Sequence, residues 1–281
     1  KGIWVVVFLT VPMGIFLGWG IGELFVYLKK KNYLISLLVT GILLVSVGIN
    51  LVSNGFRTAK SMYPLMDDVW YKLLGVIREN TPAASILNSW WDFGDWFKVV
   101  AKRGVIFDGQ SQNVPQAYWM ARCLLSKSED EAYRILRMLN NGGNQAFTVI
   151  NASLKDPFRA IFLLDKVLFL DPDKAKEELS KSIPASQADE VVKLIFDKPG
   201  QAYFIVDPTM PSKISAISYL GSWDFKKVYL MQNIRRKEKK QIIDYLQSLG
   251  VNRDGLIRLY QEADLISQKD FDDWVSTRYQ F

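Results

Sequence analysis

Histidine is absent from the 281 residues, and cysteine occurs once, at Cys123. The first absence excludes Ser/His/Asp and Cys/His catalysis and histidine-ligated zinc. The second excludes an intramolecular disulfide and any CxxC redox or metal site. The chain must therefore rest on an ordinary apolar core. Cys123, inside the apolar helical run YWMARCLL, reads as a small buried hydrophobe. Internal repeats and low-complexity tracts are missing too.

Charge is missing locally: no charged residue occurs from Gly2 to Gly22 or from Asn32 to Phe56. Each run has the roughly 20 residues a helix needs to cross a bilayer, so a transmembrane hairpin is predicted over 1–56. The first run is too long for a signal peptide, lacks a small-residue cleavage pattern and is followed at once by the second. Only Lys1, Glu23, Lys29, Lys30 and Lys31 are charged in this stretch, which makes the remainder a water-soluble domain. The tight basic loop KKKN between the spans belongs in the cytoplasm by the positive-inside rule. Residues after Phe56 then lie on the extracytoplasmic side, with Arg57 and Lys60 near the other membrane face counting against that orientation. The net charge is +6, of which the hairpin contributes +3, so the soluble part is too weakly basic to argue for a nucleic-acid partner. The cluster RRKEKK over 235–240 reads as a solvated helix start. The chain opens on Lys1, from which we expect it to be the carboxy-terminal part of a longer protein.

Three segments are expected: the hairpin (1–56), a mainly α-helical α+β domain (57–234) and a charged helical extension (235–281). PLMDDVWYKLLGVIRENTP places Leu65, Val69, Leu73 and Ile77 on one face of an amphipathic helix that ends at Thr-Pro. ASIL reads as a short buried strand, and KVVAKRGVIFDGQ as a second apolar run closed by the turn Asp108-Gly109. SEDEAYRILRMLNNGG has a capping box at Ser128 and Glu131, turns Ala132, Ile135, Leu136 and Leu139 inward and stops at a glycine pair. QAYFIVDP reads as a buried strand, and MPSKISAISYL as a helix with Pro211 in its first turn.

The sequence ILNSWWDFGDWF concentrates rings and one carboxylate at a single turn. Indole nitrogens only donate and an ionised carboxylate only accepts. Trp90, Trp91 and Asp92 together can therefore satisfy a hydroxyl, Asp92 taking its proton and the rings donating to its oxygen. A ligand without the hydroxyl leaves buried polar groups unpaired at a cost of about 1–3 kcal/mol, a selectivity on the order of 10 to 100-fold. Gly94 would allow the tight backbone turn that makes the three side chains converge. The plain alternative is that the tryptophans are core and Asp92 caps the following helix.

WWDFG after RENTP, an apolar hairpin before it, and Asp108-Gly109 fourteen residues past the glycine of the turn resemble the catalytic subunit of oligosaccharyltransferase, whose signature is WWDYG. That family transfers a lipid-linked oligosaccharide to the amide nitrogen of Asn in Asn-X-Ser/Thr. The resemblance assigns binding of the Ser/Thr hydroxyl to Trp90, Trp91 and Asp92, with Phe93 and Gly94 as structural members of the motif. Phe93 stands where the signature has tyrosine. A second family element is a short helix bearing a Met/Ile or an Asp/Lys pattern. It is matched in mixed form by Met210, Lys213 and Ile217, spaced on one helical face, although Met210 and Ile217 suit a plain core equally. A rival match is DPDKAKEE, with Asp171 and Lys174, but it has Glu178 where an aliphatic residue belongs.

The resemblance implies a glycosyltransferase with three partners: an acceptor polypeptide carrying Asn-X-Ser/Thr, a lipid-linked oligosaccharide and the membrane. It implies a Mn²⁺ or Mg²⁺ cofactor held by acidic residues on external loops of an upstream membrane domain. No catalytic residue and no metal ligand is expected within this chain, which alone should bind acceptor weakly and catalyse nothing. Two readings compete: a membrane-anchored non-catalytic module binding Ser/Thr peptides, and a related membrane glycosyltransferase with another acceptor. The chain's own sequon, NAS at Asn151, reads as a chance tripeptide.

Overall fold

A computed structural model describes residues 2–61, 66–112, 115–267 and 270–277, with side chains from Leu9 onward. The chain divides into two compact units, 1–67 and 68–281. In the first, α1 (Gly2–Lys29) packs on α2 (Tyr33–Ser61). Ser36 and Thr40 are buried, and each hydroxyl bonds back to a carbonyl of its own helix, Tyr33 and Ser36 respectively. This back-bonding keeps polar groups satisfied in an apolar setting. Both helices are long and apolar enough to cross a membrane.

The second unit is a mainly α-helical α+β domain. It opens with α3 (Asp68–Asn80), β1 (Ile86–Asn88), a 3₁₀ turn (Trp91–Phe93), α4 (Gly94–Val99) and β2 (Gly104–Val105). A helical body follows: α5 (Pro115–Leu125), α6 (Glu129–Gly142), α7 (Gln145–Leu154), α8 (Pro157–Leu168), α9 (Pro172–Ser180) and α10 (Ala185–Phe196). Then come β3 (Ala202–Phe204), a 3₁₀ turn (Met210–Lys213) leading into α11 (Ile214–Gly221), α12 (Phe225–Asn233), α13 (Lys239–Ser248), α14 (Arg253–Leu265) and α15 (Phe271–Val275).

The sheet is parallel, in the order β2-β1-β3, with Ile86 opposite both Gly104 and Ala202 and Asn88 opposite Phe204. A parallel pair needs a long crossover, and the whole helical body forms the one between β2 and β3. The QAYFIVDP strand is thus an edge strand, partly exposed rather than buried, with Phe204 at 36% and Val206, just beyond it, at 70% exposure.

Local chemistry sets the helix ends. Ser128 Oγ accepts from Glu131 N, and α6 stops at Gly143, whose φ of 57° suits glycine. Asp156 caps α8 ahead of Pro157, and Asp224 caps α12. Ile135, Met138 and Leu139 of α6 meet Ile150, Leu164, Leu168, Val191 and Ile195 in the core, each contributing about 1.5–3 kcal/mol of burial.

α3 sits differently from its sequence pattern. Its domain-facing residues are Trp70 and fully buried Leu74, while Val69 and Leu73 are exposed, and Leu65 lies outside the described residues. The apolar arc is wider than the contact, and the large Trp70 ring, stacked on Phe93, decides which part turns inward. The helices beyond residue 235 do not stand apart. Ile242, Leu246, Leu256 and Ala263 share a second core with Tyr229 and Leu230 of α12, and Tyr245 Oη donates to Asp156 at 2.7 Å. Burial and that carboxylate push the Tyr245 phenol well above its ordinary pKa.

Candidate functional site

β1 is the middle strand, so it delivers the chain at a fixed height into the Trp91–Phe93 turn. Trp90 is extended and 2% exposed, its ring edge-on to Phe107 at 5.1 Å. Trp91 is half-buried against the same core. Gly94 has ordinary helical angles, φ −55° and ψ −40°. It is demanded by space instead: a Cβ there would lie 2.6 Å from Asp108 Cβ and 2.7 Å from the Phe107 carbonyl. The expectation of a special backbone turn at Gly94 is therefore replaced by a close backbone approach. The Asp108-Gly109 turn noted in the sequence is what approaches it.

Asp108 organises that approach. Its Oδ1 accepts from Gln110 N (2.9 Å), Ser111 N (3.1 Å) and Ser111 Oγ (2.8 Å), and Lys98 Nζ reaches Oδ2 at 2.6 Å. Burial alone would raise the carboxyl pKa, but the Lys98, Ser111 and Gln110 hydrogen bonds outweigh it and hold the pKa below the ordinary value. Lys98 is raised by its hydrogen bonds to Asp108 first and Asp95 second.

The turn that carries Met210 and Lys213 closes over the same place. Met210 and Ile217 are buried in the main core at 7% and 3% exposure. Lys213 points the other way, and its Nζ stands 2.6 Å from Asp92 Oδ2 and 4.4 Å from the centre of the Phe93 ring. Both members of the pair are mostly shielded, with side-chain exposures of 20% and 26%. The contact is one of charge and proximity: Oδ2 is buried and receives no directed hydrogen bond. The remaining exposure of Asp92 therefore lies away from that atom, where its acceptor capacity is unspent.

The structure brings Asp92, Phe93 and Lys213 together, and uses Trp90, Met210 and Ile217 as the packed wall behind them. Asp171 and Lys174 pair only with each other, at 3.3 Å and more than 70% exposed, on α9. Asn151 lies inside α7 with its amide oxygen buried. Cys123 is buried in α5, and burial pushes its thiol up to about 12.

Two residues that sequence reasoning passed over belong here. Asp207, 5% exposed, accepts from the Thr209 amide at 2.7 Å and from the Thr209 hydroxyl, which fixes the start of the Met210–Lys213 turn. Its signal was the DPT sequence, an aspartate two residues ahead of a threonine, where a side chain commonly closes a turn. Trp70, stacked on Phe93, is the other.

A divalent cation does not fit at this turn. The ammonium of Lys213 already occupies the cation position beside Asp92, and Lys98 bridges Asp95 (2.8 Å) and Asp108 (2.6 Å). Asp92, Asp95 and Asp108 each have a lysine in the place a metal would take, and Asp207 is engaged by Thr209.

The α+β domain thus sets a carboxylate–lysine pair at the end of its central parallel strand, beside two tryptophans. The STT3/PglB/AglB core domain family matches residues 84–227, which include every residue of this site except Trp70. The chain belongs to that family. It is 30% identical to the dolichyl-phosphooligosaccharide-protein glycotransferase of Methanocaldococcus jannaschii over 192 residues, 65% of this chain and 20% of the relative. It is 30% identical to the protein of the same name from Methanococcus voltae over 214 residues, 73% of this chain and 23% of the relative. A rice dolichyl-diphosphooligosaccharide–protein glycosyltransferase subunit STT3B matches at 30% over 95 residues, 34% of this chain and 12% of the relative. The chain thus spans about a fifth of the length of the archaeal relatives. No solved structure matches it.

Proposed function

We propose that this chain is the acceptor-reading part of an oligosaccharyltransferase catalytic subunit, and that Asp92 takes the hydroxyl of the Ser/Thr in Asn-X-Ser/Thr. The observation that carries this is the state of Asp92: charge-paired on one oxygen and free of directed hydrogen bonds, in the Trp91–Phe93 turn. Lys213 engages one oxygen of the carboxylate and holds it in place, so the other meets an incoming O–H as an acceptor. Trp91 and Trp90 exclude water around it, which raises the cost of leaving the hydroxyl unmatched. The names of the archaeal relatives support a lipid-linked oligosaccharide donor and a protein acceptor. The Mn²⁺ or Mg²⁺ of the reaction is assigned to acidic residues outside this chain. α1 and α2 span the membrane with Lys29–Lys31 in the cytoplasm, placing residues 68–281 outside it.

The test is binding of fluorescent Asn-X-Thr and Asn-X-Val peptides to the detergent-solubilised chain. The wild type should prefer threonine by about 10-fold or more, and Asp92→Ala should erase the preference without unfolding the domain. Equal affinities in the wild type would overturn the assignment.

A further inference from the structure

We propose that Trp70 of α3 is a positioning residue for the acceptor site, holding Phe93 so that the Phe93 ring in turn carries the Lys213 ammonium against Asp92. The inference rests on the acceptor reading above and names a residue outside the segment that defines the family.

Three contacts run in series. Trp70 stacks on Phe93 with ring centres 4.8 Å apart and planes 26° from parallel. Lys213 Nζ lies over the same Phe93 ring at 4.4 Å. That ammonium is 2.6 Å from Asp92 Oδ2. Because the last contact lacks hydrogen-bond direction, angular forces do not fix the ammonium. The ring beneath it does, through the attraction of a cation to a π face. A ring can place a cation only as firmly as it is itself held, and Trp70 holds it, with Trp96 (5.0 Å) and Phe97 (6.5 Å) completing the aromatic cluster.

α3 is fit for this because its far end is locked. Arg103 is 6% exposed and has no carboxylate partner among the described residues; its guanidinium is spent on carbonyls and one hydroxyl. Nη2 donates to the carbonyls of Arg78 (2.6 Å) and Thr81, Nη1 to those of Ala101 (3.1 Å) and Lys102 (3.0 Å), and Nε to Thr81 Oγ1 (2.9 Å). One cation thus ties the carboxyl end of α3 to the segment leaving α4, where the positive charge also suits the helix dipole. With Arg103 at one end and the Trp70 stack at the other, α3 is a fixed backstop to the turn.

The experiment uses the full chain in detergent with ¹³C-labelled lysine, the Lys213 signals assigned by their loss in Lys213→Arg. A lysine ε-methylene over a phenyl ring resonates upfield, so its shift reports the Lys213–Phe93 contact without any peptide. Trp70→Ala should move that signal toward the free-lysine position and weaken Asn-X-Thr peptide binding by about three- to tenfold, the scale of one aromatic pair. Trp70→Phe should restore both, and Leu179→Ala, a core truncation in α9, should lower Tm while moving neither. A Lys213 signal unmoved in Trp70→Ala would overturn the proposal. A wild type that shows the upfield signal yet does not distinguish Asn-X-Thr from Asn-X-Val overturns it at its premise, the acceptor reading itself.

Discussion

Lys213 Nζ and Asp92 Oδ2 lie 2.6 Å apart although the two residues are 121 positions apart in the chain. The pair is neither fully buried nor free in solvent, so its net contribution falls between the near-zero value of a surface pair and the several kcal/mol lost when one partner of a buried pair is removed. Lys213→Met should cost about 1–2 kcal/mol by that comparison. Combined with Asp92→Asn, the loss should be smaller than the sum of the two single losses by at least about 0.5 kcal/mol in a double-mutant cycle of urea unfolding. Strict additivity would show that the two charges do not interact.

Gly94 and Gly75 make an opposed pair of predictions. A Cβ on Gly94 meets backbone and Cβ atoms at 2.6–2.8 Å, none of which is a flexible side-chain end. Gly94→Ala should therefore cost about 1–3 kcal/mol from overpacking. Gly75 lies in α3 with nothing within 4 Å of its added Cβ, and Gly75→Ala should stabilise by up to about 1 kcal/mol through helix propensity. Thermal melts of the two variants should shift in opposite directions.

Asp108 gives an acid-side signature. Its folded pKa lies below the ordinary 3.8, so the folded state binds the proton less readily than the unfolded chain does. The stabilisation is complete above the unfolded value and is lost as pH falls through the lower folded one. Denaturant midpoints followed downward from pH 5 should show a loss that Asp108→Asn lacks. An identical pH dependence in that variant would show that Asp108 does not supply the effect.

Cys123 should be silent in the native state. With its thiol pushed up to about 12 by burial, almost none is thiolate at pH 8, and the thiolate is the reactive form. A disulfide exchange reagent should label it only after denaturant is added. Rapid native labelling would place Cys123 outside the core.

The sequence carried the parts of the fold that depend on neighbours. The Ser128 cap of α6, the glycine stop at Gly143 and the Pro211 helix start are local, and the structure has each of them; the box itself stays half made, because Ser128 N donates to Ser126 Oγ and the Glu131 carboxylate is taken by Ser126 and Arg122. The Lys213 assignment came from the family resemblance, and the contact with Asp92 gives it a physical partner. What pattern reading missed was non-local. The exposed face of α3 could not be told from its buried face, because only the distant Phe93 decides that Trp70 goes inward. The reason for Gly94 was hidden for the same cause: the Phe107–Asp108 backbone that forbids a side chain there is thirteen to fourteen residues away. The β3 segment is apolar like a central strand, but its position at the sheet edge is a matter of topology.

The parallel pairing of β1 with β3 also sets when the site can exist. Ile86 meets Ala202 only across a crossover of more than a hundred residues, and Lys213 follows later still. During synthesis the tryptophan turn leaves the ribosome early, yet its sheet partner and its lysine arrive only after α5 through α10 have been made. Contacts so distant in sequence are slow to form, and domains fold as units once their chain is available. The Asp92–Lys213 pair can thus form only once most of the domain has been made, so a chain interrupted anywhere before Lys213 displays the tryptophan turn without its lysine.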